Sequence, residues 1–401
     1  MGTKGDAELF GELLARQKSG HALDRAFYCD GAIFRRDVDK VLSRHWLLAG
    51  HASRIPNRGD YFLFDLAAEQ AIVVRAQDGA IRAHANVCRH RGSRVCTEPQ
   101  GNAKVFICPY HAWAYNLDGT LRAARHAPED FDRAAYGLKP IHVRVIEGLI
   151  FVSFADVPLG LARAETALRE CLGPYEWSKA RVAHSELYPI EGNWKLAVEN
   201  YLECYHCAPA HPEYSRLHAL EQPWAKIEAL NAAMNARAAS FGVHIPVHEH
   251  WGPSAGGEEA VFAFRYALYD GVSTASPDGK AVAPLMGRMN DYDGGVTTIH
   301  FGPASFFISY PDHGVLYRFV AKTVDTSALE VVWLVRGDAR EGVDYDLEKL
   351  TWMWKVTSEA DKRIIEWNQA GVNSRHYEPG PYMPMERNAR RYAAWYLGEV
   401  T

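Results

Sequence analysis

The sequence predicts an α+β protein in which a small all-β domain precedes a larger domain of helices and antiparallel strands. Its 401 residues exceed one ordinary domain of ~150 residues. Residues 59–155 consist of short β runs joined by turn residues, whereas residues 156–401 combine long helical patterns with further β runs. Hydrophobic residues make up 48% of the chain, which suits packed cores and argues against a disordered protein.

The all-β domain is expected at residues 45–155. Asp78-Gly79 and Asp118-Gly119 predict hairpin turns, because glycine accepts the positive φ that such turns require. The preceding segment, residues 1–44, carries helical patterns at 8–18 and 36–46, and we expect it to pack on the larger domain. The predicted strands are Tyr61–Leu66, Ala71–Arg75, Ile81–Asn86, Lys104–Cys108, Trp113–Leu117 and Leu149–Phe154.

The larger domain is expected at residues 156–401. Its β runs are joined by short turns rather than by crossover helices, so we expect an antiparallel sheet. The predicted helices are Leu161–Cys171, Trp194–Cys207, Trp224–Ala239, Asp344–Gln369 and Met385–Leu397. The predicted strands are Ala260–Tyr269, Val296–His300, Ser305–Ser309, Leu316–Val324 and Leu329–Arg336.

Composition and charge exclude several classes of function. A net charge of −5 with 44 Lys and Arg leaves no basic excess for binding nucleic acid. Apolar stretches such as Val331–Val335 are far shorter than the ~18 residues of a membrane span. No apolar segment follows the charged start Met1–Asp6, so we expect a cytoplasmic protein. Seven scattered cysteines are an unsuitable set for a disulfide framework.

Two cysteines and two histidines form the first candidate site. Cys88-x-His90 and Cys108-x-x-His111 are separated by seventeen residues, and each pair follows a predicted strand. The set could bind a structural zinc ion. Because each pair mixes one thiolate with one imidazole, we favour a [2Fe–2S] cluster with two Cys ligands and two His ligands. Cys96 lies outside the pattern and is expected to be a core residue.

The second candidate site lies in the run from Trp194 to His211. Glu203 and His206 are three residues apart, which makes them neighbours on a helix. His211 would diverge from His206 on a straight helix, but Pro209 should bend the chain so that both imidazoles meet. Two His and one carboxylate would leave an iron with open positions for dioxygen. Cys204-x-x-Cys207 is also typical of redox or zinc sites; we expect these cysteines to be small packing residues.

A carboxylate ligand is expected from the late helix. Glu359 and Glu366 each have Lys362 and Arg363 nearby, which favours solvated ion pairs. Asp361 instead lies on the side of the helix that carries apolar residues, where an unpaired carboxylate is costly unless a metal neutralises it. We therefore choose Asp361, with a capping or core-network role as the alternative.

The motifs resemble the Rieske non-haem iron oxygenases. Cys-Arg-His-Arg-Gly at 88–92 and Cys-Pro-Tyr-His at 108–111 resemble the Rieske signature, except that Ala112 stands where the family often has Gly. Asn-Tyr-Leu-Glu-Cys-Tyr-His-Cys at 200–207 resembles the glycine betaine, choline, carnitine and stachydrine monooxygenase branch. The tail from Gln369 to Gly380 is also similar to the family, so the resemblance extends over nearly the whole chain.

The resemblance implies two iron cofactors and a helix-grip catalytic domain. Cys88, His90, Cys108 and His111 would hold the Rieske [2Fe–2S] cluster, and His206, His211 and Asp361 the mononuclear Fe(II). Glu203 would link a cluster histidine of one subunit to an iron histidine of the next, which requires a ring such as a homotrimer. Glu203 and Asn200 are our candidate catalytic residues. No Gly-x-Gly-x-x-Gly dinucleotide motif is present, so electrons should come from a separate NAD(P)H-dependent flavin and iron–sulfur reductase.

The expected reaction is O2-dependent N-demethylation of a quaternary ammonium or betaine-like substrate. An aromatic box would attract the cation, and the candidate substrate-binding residues are Tyr201, Tyr205, Trp251 and Phe306. Taken singly, each of these aromatics is more often a core residue than a pocket residue. The alternatives are an aromatic-ring hydroxylating dioxygenase that acts on an aromatic acid, and a non-catalytic zinc- or cluster-binding protein.

Overall fold

The protein divides into two compact units in a computed structural model. The structure describes residues 6–220, 223–251 and 257–401, so the first five residues of the charged start lie outside the described part. One unit spans residues 43–158, and the other combines residues 1–42 with 159–401. None of the helices in the described part is long and apolar enough to cross a membrane.

The smaller unit is built from β-structure. A seven-stranded antiparallel sheet has the order β1-β10-β9-β4-β3-β2-β5, and a separate small sheet has the order β6-β7-β8. The strands are β1 Leu47–His51, β2 Asp60–Leu66, β3 Glu69–Arg75, β4 Ile81–Ala85, β5 Gln100–Asn102, β6 Phe106–Ile107, β7 Ala114–Tyr115, β8 Leu121–Ala123, β9 Pro140–Ile146 and β10 Leu149–Ser153. The short 3-10 segments of this unit are Ala52–Arg54 and Arg133–Tyr136. Each predicted strand of this region overlaps an observed one, whereas β1, β5, β8 and β9 were not predicted.

Glycines make the two predicted turns possible. Gly79 and Gly119 have φ values of +88° and +91°, which confirms both turns. At Gly119 a Cβ would also lie 2.7 Å from the ring of His84. The turn at Asp118-Gly119 therefore requires glycine for its backbone angle and for space.

The larger unit is centred on one antiparallel sheet. Its order is β11-β17-β16-β15-β14-β13-β12, which confirms the predicted antiparallel arrangement. The strands are β11 Arg181–Ile190, β12 His248–His250, β13 Val261–Ala267, β14 Gly295–Phe301, β15 Ser305–Ser309, β16 Gly314–Ala321 and β17 Ser327–Val335. β11 and β12 were not predicted.

Helices flank this sheet. The long helix α9 packs against β11, β17 and α5, and so lies close to the candidate iron ligands. The α-helices are α1 Asp6–Arg16, α2 Arg25–Cys29, α3 Gly31–Arg36, α4 Ala162–Leu172, α5 Trp194–Tyr201, α6 Cys207–Ala210, α7 Pro212–Ser215, α8 Trp224–Ser240, α9 Leu347–Val372 and α10 Arg387–Glu399. The 3-10 segments are Gly173–Tyr175, Trp177–Lys179 and Pro384–Glu386.

The N-terminal segment is attached to the larger unit by a buried charge cluster. The helical pattern predicted at 36–46 is a π-helix at Asp37–Leu42, followed by a turn. Asp37 is fully buried and forms an ion pair with the buried Lys195 of α5. The indole of Trp194 donates to Asp37 at 3.2 Å, and the hydroxyl of Tyr396 donates at 2.5 Å. These three donors compensate for the burial of the carboxylate.

Candidate metal centres and active-site cavity

The two cysteine-histidine loops have the same backbone geometry. In the first, the N–H of Gly92 donates to the carbonyl of Cys88 at 2.9 Å. In the second, the N–H of Ala112 donates to the carbonyl of Cys108 at 3.0 Å. Gly92 and Ala112 have φ values of +77° and +56°. This left-handed conformation explains why glycine suits both positions and why Ala112 adopts it at some cost.

The loops bring the four predicted cluster ligands together in two layers. Cys88 and Cys108 are buried, and their thiol groups are within hydrogen-bonding reach of each other. His90 and His111 are exposed, and their ring centroids lie 4.7 Å apart. Sulfur ligands inside and imidazoles at the surface suit a cluster with two Cys on one iron and two His on the other.

Tyr115 is a functional neighbour of this site that sequence reasoning did not single out. Its hydroxyl accepts the backbone N–H of Arg89 at 3.0 Å and lies 3.2 Å from the sulfur of Cys88. Since the oxygen already accepts one hydrogen bond, its own O–H is free to donate to the sulfur. Such hydrogen bonds tune the potential of a cluster. The available signal was the position of Tyr115, one residue beyond Trp113-Ala114 in the second motif.

The helix predicted at Trp194–Cys207 ends early, and that prediction is wrong at its C-terminal half. Helix α5 begins after Asn193, whose side chain accepts the N–H of Lys195, and it stops at Tyr201. The carboxylate of Glu203 accepts the backbone N–H of Tyr205 at 2.5 Å and of His206 at 3.2 Å. A side chain that captures these donors stabilises a turn in place of the next helical turn.

Cys204 and Cys207 form a disulfide, so their expected role as separate packing residues is wrong. The turn that follows α5 brings their Cα atoms to 4.8 Å, within the range of disulfides. The cysteine count gave no indication of this bond, since pairing depends on the local turn.

The two histidines bracket the short helix α6. His206 precedes it and His211 follows it, with φ −131° and ψ 67° at His211. Pro209 lies inside α6, so the expected bend before Pro209 is wrong; the chain turns after Tyr201 and again at His211. The two rings still approach each other, with centroids 5.2 Å apart.

His206, His211 and Asp361 converge on one point. Nε2 of His206 lies 3.2 Å and Nε2 of His211 lies 2.8 Å from Oδ1 of Asp361, and one potential ligand atom from each residue lies within 4.8 Å of the others. Nδ1 of His206 is held by Oε1 of Glu203 at 2.5 Å. The Nε2 atoms of both imidazoles and a carboxylate oxygen of Asp361 therefore face the same space, which fits a metal with two N ligands and one O ligand.

The other two acidic residues of α9 lie elsewhere. Glu359 is exposed. Glu366 forms an ion pair with Lys362 and accepts the N–H of Glu191 at 3.1 Å. Of the three carboxylates weighed from the sequence, the structure brings only Asp361 to the histidines.

A cavity of about 260 Å³ opens beside His206, His211 and Asp361. Six aromatic side chains contribute to its walls; the ring centroids of Tyr201 and Tyr317 are 4.8 Å apart, and those of Tyr214 and Trp354 are 6.0 Å apart. Glu203 and Asn200 also line it. The aromatic lining residues are Tyr201, Tyr214, Phe264, Tyr266, Tyr317 and Trp354.

Of the four predicted substrate-binding aromatics, the structure places only Tyr201 in the lining. The side chain of Tyr205 is 54% exposed, on the turn after α5. Phe306 is buried behind Tyr201, with ring centroids 4.2 Å apart. Trp251 packs against His300 at 5.6 Å. Among the described residues, these three lie outside the cavity lining.

Several lining residues come from strands that the sequence did predict. Phe264 and Tyr266 are two residues apart on β13, and Thr298 and His300 are two residues apart on β14. Residues two apart in a strand share a face, so this period could have grouped them. Nothing in the sequence indicated which face meets the histidines.

Comparisons with known proteins extend these observations. The profile described as "Ring hydroxylating alpha subunit (catalytic domain)" matches residues 177–400, and "Rieske [2Fe-2S] domain" matches residues 45–141. The chain is 36% identical over 379 residues to the glycine betaine monooxygenase oxygenase subunit of Chromohalobacter salexigens, covering 92% of this chain and 84% of the relative. It is 32% identical over 223 residues to the carnitine monooxygenase oxygenase subunit of Escherichia coli, covering 52% and 57%.

Solved structures share the fold. The structure of the quaternary ammonium Rieske monooxygenase CntA superposes with a TM-score of 0.71 at 20% identity, covering 96% of each chain. Naphthalene 1,2-dioxygenase from Rhodococcus sp. superposes with a TM-score of 0.65 at 17% identity, covering 94% of each chain. At these identities the likeness concerns the fold alone.

Proposed function

This chain belongs to the Rieske non-haem iron oxygenases, and from that membership we propose that it demethylates a small quaternary ammonium compound of the betaine class. It is an oxidoreductase with a Rieske [2Fe–2S] cluster and a mononuclear iron. The predicted family, fold class and cofactors are confirmed, and the non-catalytic alternative is wrong. An oxygenase component of this kind takes electrons from a separate reductase and uses O2 and a small-molecule substrate.

We assign the metal ligands from the geometry of the two sites. Cys88, Cys108, His90 and His111 would hold the cluster, and His206, His211 and Asp361 would hold the iron. When bound, the iron would supply the activation of O2: with two electrons from the reductase and two protons, one oxygen atom leaves as water and the other enters an N-methyl C–H bond. The resulting carbinolamine then breaks its C–N bond and releases formaldehyde, the demethylated amine and a proton. The chain's part is to exclude water, orient the substrate and fix the imidazoles.

The observation that carries the proposed substrate is the aromatic cavity beside the ligand triad. The rings of Tyr201, Tyr317 and Trp354 offer π faces, which attract a quaternary ammonium. The carboxylate of Glu203 adds negative charge at the same end, and that of Asp361 would offset part of the charge of the bound iron. The cavity volume of about 260 Å³ suits a small substrate, since the pockets that bind drug-sized ligands measure ~300–1,000 Å³. A methyl group of such a cation would then face the triad.

Glu203 has the contacts of a positioning residue. Its carboxylate holds Nδ1 of His206, so that Nε2 of the same ring faces Asp361. We further propose that it also accepts an N–H from a cluster histidine of a neighbouring subunit, which would make the working molecule a homotrimer. Asn200 lines the same cavity and would orient the substrate. The reductase would be an NAD(P)H-dependent flavin and iron–sulfur protein.

Formaldehyde release tests the proposed reaction. The iron-loaded protein would be supplied with a donor reductase and offered glycine betaine, carnitine, stachydrine, choline and a set of aromatic acids. We expect formaldehyde with at least one methylammonium compound and no hydroxylated product from the aromatic acids. Release from none of them, with a hydroxylated aromatic acid as product, would establish the ring-hydroxylating alternative instead.

A further inference from the structure

The cavity lacks a cationic side chain for the other end of a betaine. Among the described lining residues, the acidic ones are Glu203 and Asp361, and no Lys or Arg is present. The undescribed residues 221–222 and 252–256 contain no Lys or Arg in the sequence. Glu203 would repel a substrate carboxylate, whereas the bound iron would offset the charge of Asp361. The substrate carboxylate must therefore be met by neutral hydrogen-bond donors elsewhere in the wall.

Among the neutral side chains that line the cavity, His300 is a buried imidazole that can donate a hydrogen bond. It lies on β14, its side chain is buried, and it lines the cavity. No described protein group forms a hydrogen bond with its ring. Aromatic rings surround it with centroids 5.0–6.5 Å away: Phe306, Phe262, Trp251, Phe264 and Tyr201.

A buried imidazole without a partner is costly, so this position calls for a ligand. Thr298 lies two residues earlier on the same face of β14 and also lines the cavity. Burial among the rings lowers the pKa of His300 to about 3, which keeps the imidazole neutral near pH 7. One ring nitrogen then carries a hydrogen that it can donate. His300 and Thr298 together form a small polar patch in an aromatic wall.

We propose that His300, assisted by Thr298, receives the carboxylate of the substrate and makes the enzyme selective for betaines over carboxylate-free ammonium compounds. This inference rests on the proposed function, since it specifies which methylammonium compounds the cavity accepts. The ammonium lies against Tyr201 near the carboxylate of Glu203, and the substrate carboxylate accepts the N–H of His300. A betaine thereby completes the hydrogen bonding that the protein leaves open.

Two substitutions separate hydrogen bonding from packing. His300→Phe keeps a ring of similar shape and removes the donor, whereas His300→Gln keeps an N–H donor. The matched control is His250→Phe, on the exposed strand β12. Binding is measured by calorimetry on the iron-loaded oxidised enzyme, with glycine betaine and with propyltrimethylammonium, which has no carboxylate. KM and kcat are then measured with the reductase.

We expect His300→Phe to weaken glycine betaine binding and raise its KM about tenfold to a hundredfold, as for a lost hydrogen bond to a charged group. Propyltrimethylammonium binding should change less than threefold, and His300→Gln should restore most of the betaine affinity. Iron content and melting temperature should stay as in the control.

Three results would overturn the inference. In one, His300→Phe binds betaine as tightly as the parent enzyme. In another, it loses both ligands equally, which indicates a packing role. In the third, His300→Gln fails to restore betaine affinity although it folds and binds iron. By contrast, an unsubstituted enzyme that neither binds nor demethylates any methylammonium compound refutes the proposed function itself.

Discussion

Asp361 shows how far a single residue can be assigned from sequence. Its side of the helix distinguished it from Glu359 and Glu366, and the structure places its carboxylate 2.8 Å from His211. The lining residues His300 and Tyr317 could not be assigned in that way. Strand periodicity groups residues that share a face, but which face meets the iron site depends on packing between distant segments.

Replacing Asp361 should remove the mononuclear iron and leave the cluster. We expect Asp361→Ala to reduce iron from about three to about two atoms per chain, because one of three ligands is lost. Glu359→Ala, two residues earlier on the same helix and exposed, is the matched control. Iron analysis together with the electron paramagnetic resonance of the reduced cluster measures both centres. An unchanged iron content in Asp361→Ala would refute the ligand assignment.

The buried pair of Asp37 and Lys195 should dominate the stability of the N-terminal attachment. Asp37→Asn leaves the ammonium of Lys195 buried without a counter-charge, so we expect a loss of about 3–5 kcal/mol in the free energy of unfolding. Asp39→Asn, at an exposed position of the same π-helix, should change it by less than about 0.5 kcal/mol. Denaturant unfolding measures both, and equal effects would refute this account.

Glu199 should make stability depend on pH. Burial raises the pKa of its carboxyl to about 7 from the usual 4.5, although the Tyr28 hydroxyl donates to it and Lys195 is near. The folded state therefore holds a proton that the unfolded state loses, and stability falls as pH rises from 4.5 to about 7.

Glu199→Gln should remove this slope. Relative to the variant, the free energy of unfolding of the parent protein should fall by about 3 kcal/mol between pH 4.5 and about 7, since each pH unit between the two pKa values of Glu199 changes it by about 1.4 kcal/mol. Denaturant unfolding at several pH values provides the measurement. Parallel pH profiles for the two proteins would show that Glu199 does not titrate in this range.

At the scale of elements, alternation and turn residues predicted most of the observed strands. β9 was missed although residues 141–145 alternate between apolar and polar side chains. In Arg181–Ile190 the polar residues 184–186 are consecutive and Pro189 lies near the end, so the strand signal is weak and the pairing with β17 defines this strand. The helix that begins at Trp194 was predicted too long because its apolar period continues past Tyr201. In the structure the carboxylate of Glu203 accepts the backbone N–H groups of Tyr205 and His206, so the helix does not continue.

The second cluster loop offers a test at this scale. Ala112 has φ +56°, so Ala112→Gly should stabilise the cluster-loaded protein by about 1 kcal/mol. Ala114→Gly, in strand β7, should destabilise it by a similar amount, because glycine gains more freedom in the unfolded chain. Bleaching of the cluster absorbance during thermal unfolding measures both. Destabilisation by Ala112→Gly would show that the loop tolerates alanine without strain.

At the scale of the whole molecule, the change in texture along the sequence predicted two kinds of domain. The motifs predicted both iron sites, and the family resemblance implied that the cluster of one subunit serves the iron of the next. We propose that electrons cross between subunits through Glu203, and two inactive variants can test this path.

Chains with His90→Ala should lack a working cluster, and chains with Asp361→Ala should lack the mononuclear iron. Each homogeneous variant should be inactive, whereas random mixed trimers should recover about a quarter of the parent activity, since half the chains keep iron and half of their neighbours keep a cluster. Separately purified variants combined without subunit exchange are the control. Mixed oligomers with no activity would exclude transfer between subunits.

The other proposals depend on one reaction, the oxidation of an N-methyl group by this iron- and O2-dependent enzyme. The most direct measurement follows O2 consumption and formaldehyde together during turnover of glycine betaine with deuterated methyl groups. We predict one deuterated formaldehyde for each O2 consumed, with the demethylated amine as the second product. Oxygen consumption that yields hydrogen peroxide without labelled formaldehyde, for every betaine tried, would contradict the account.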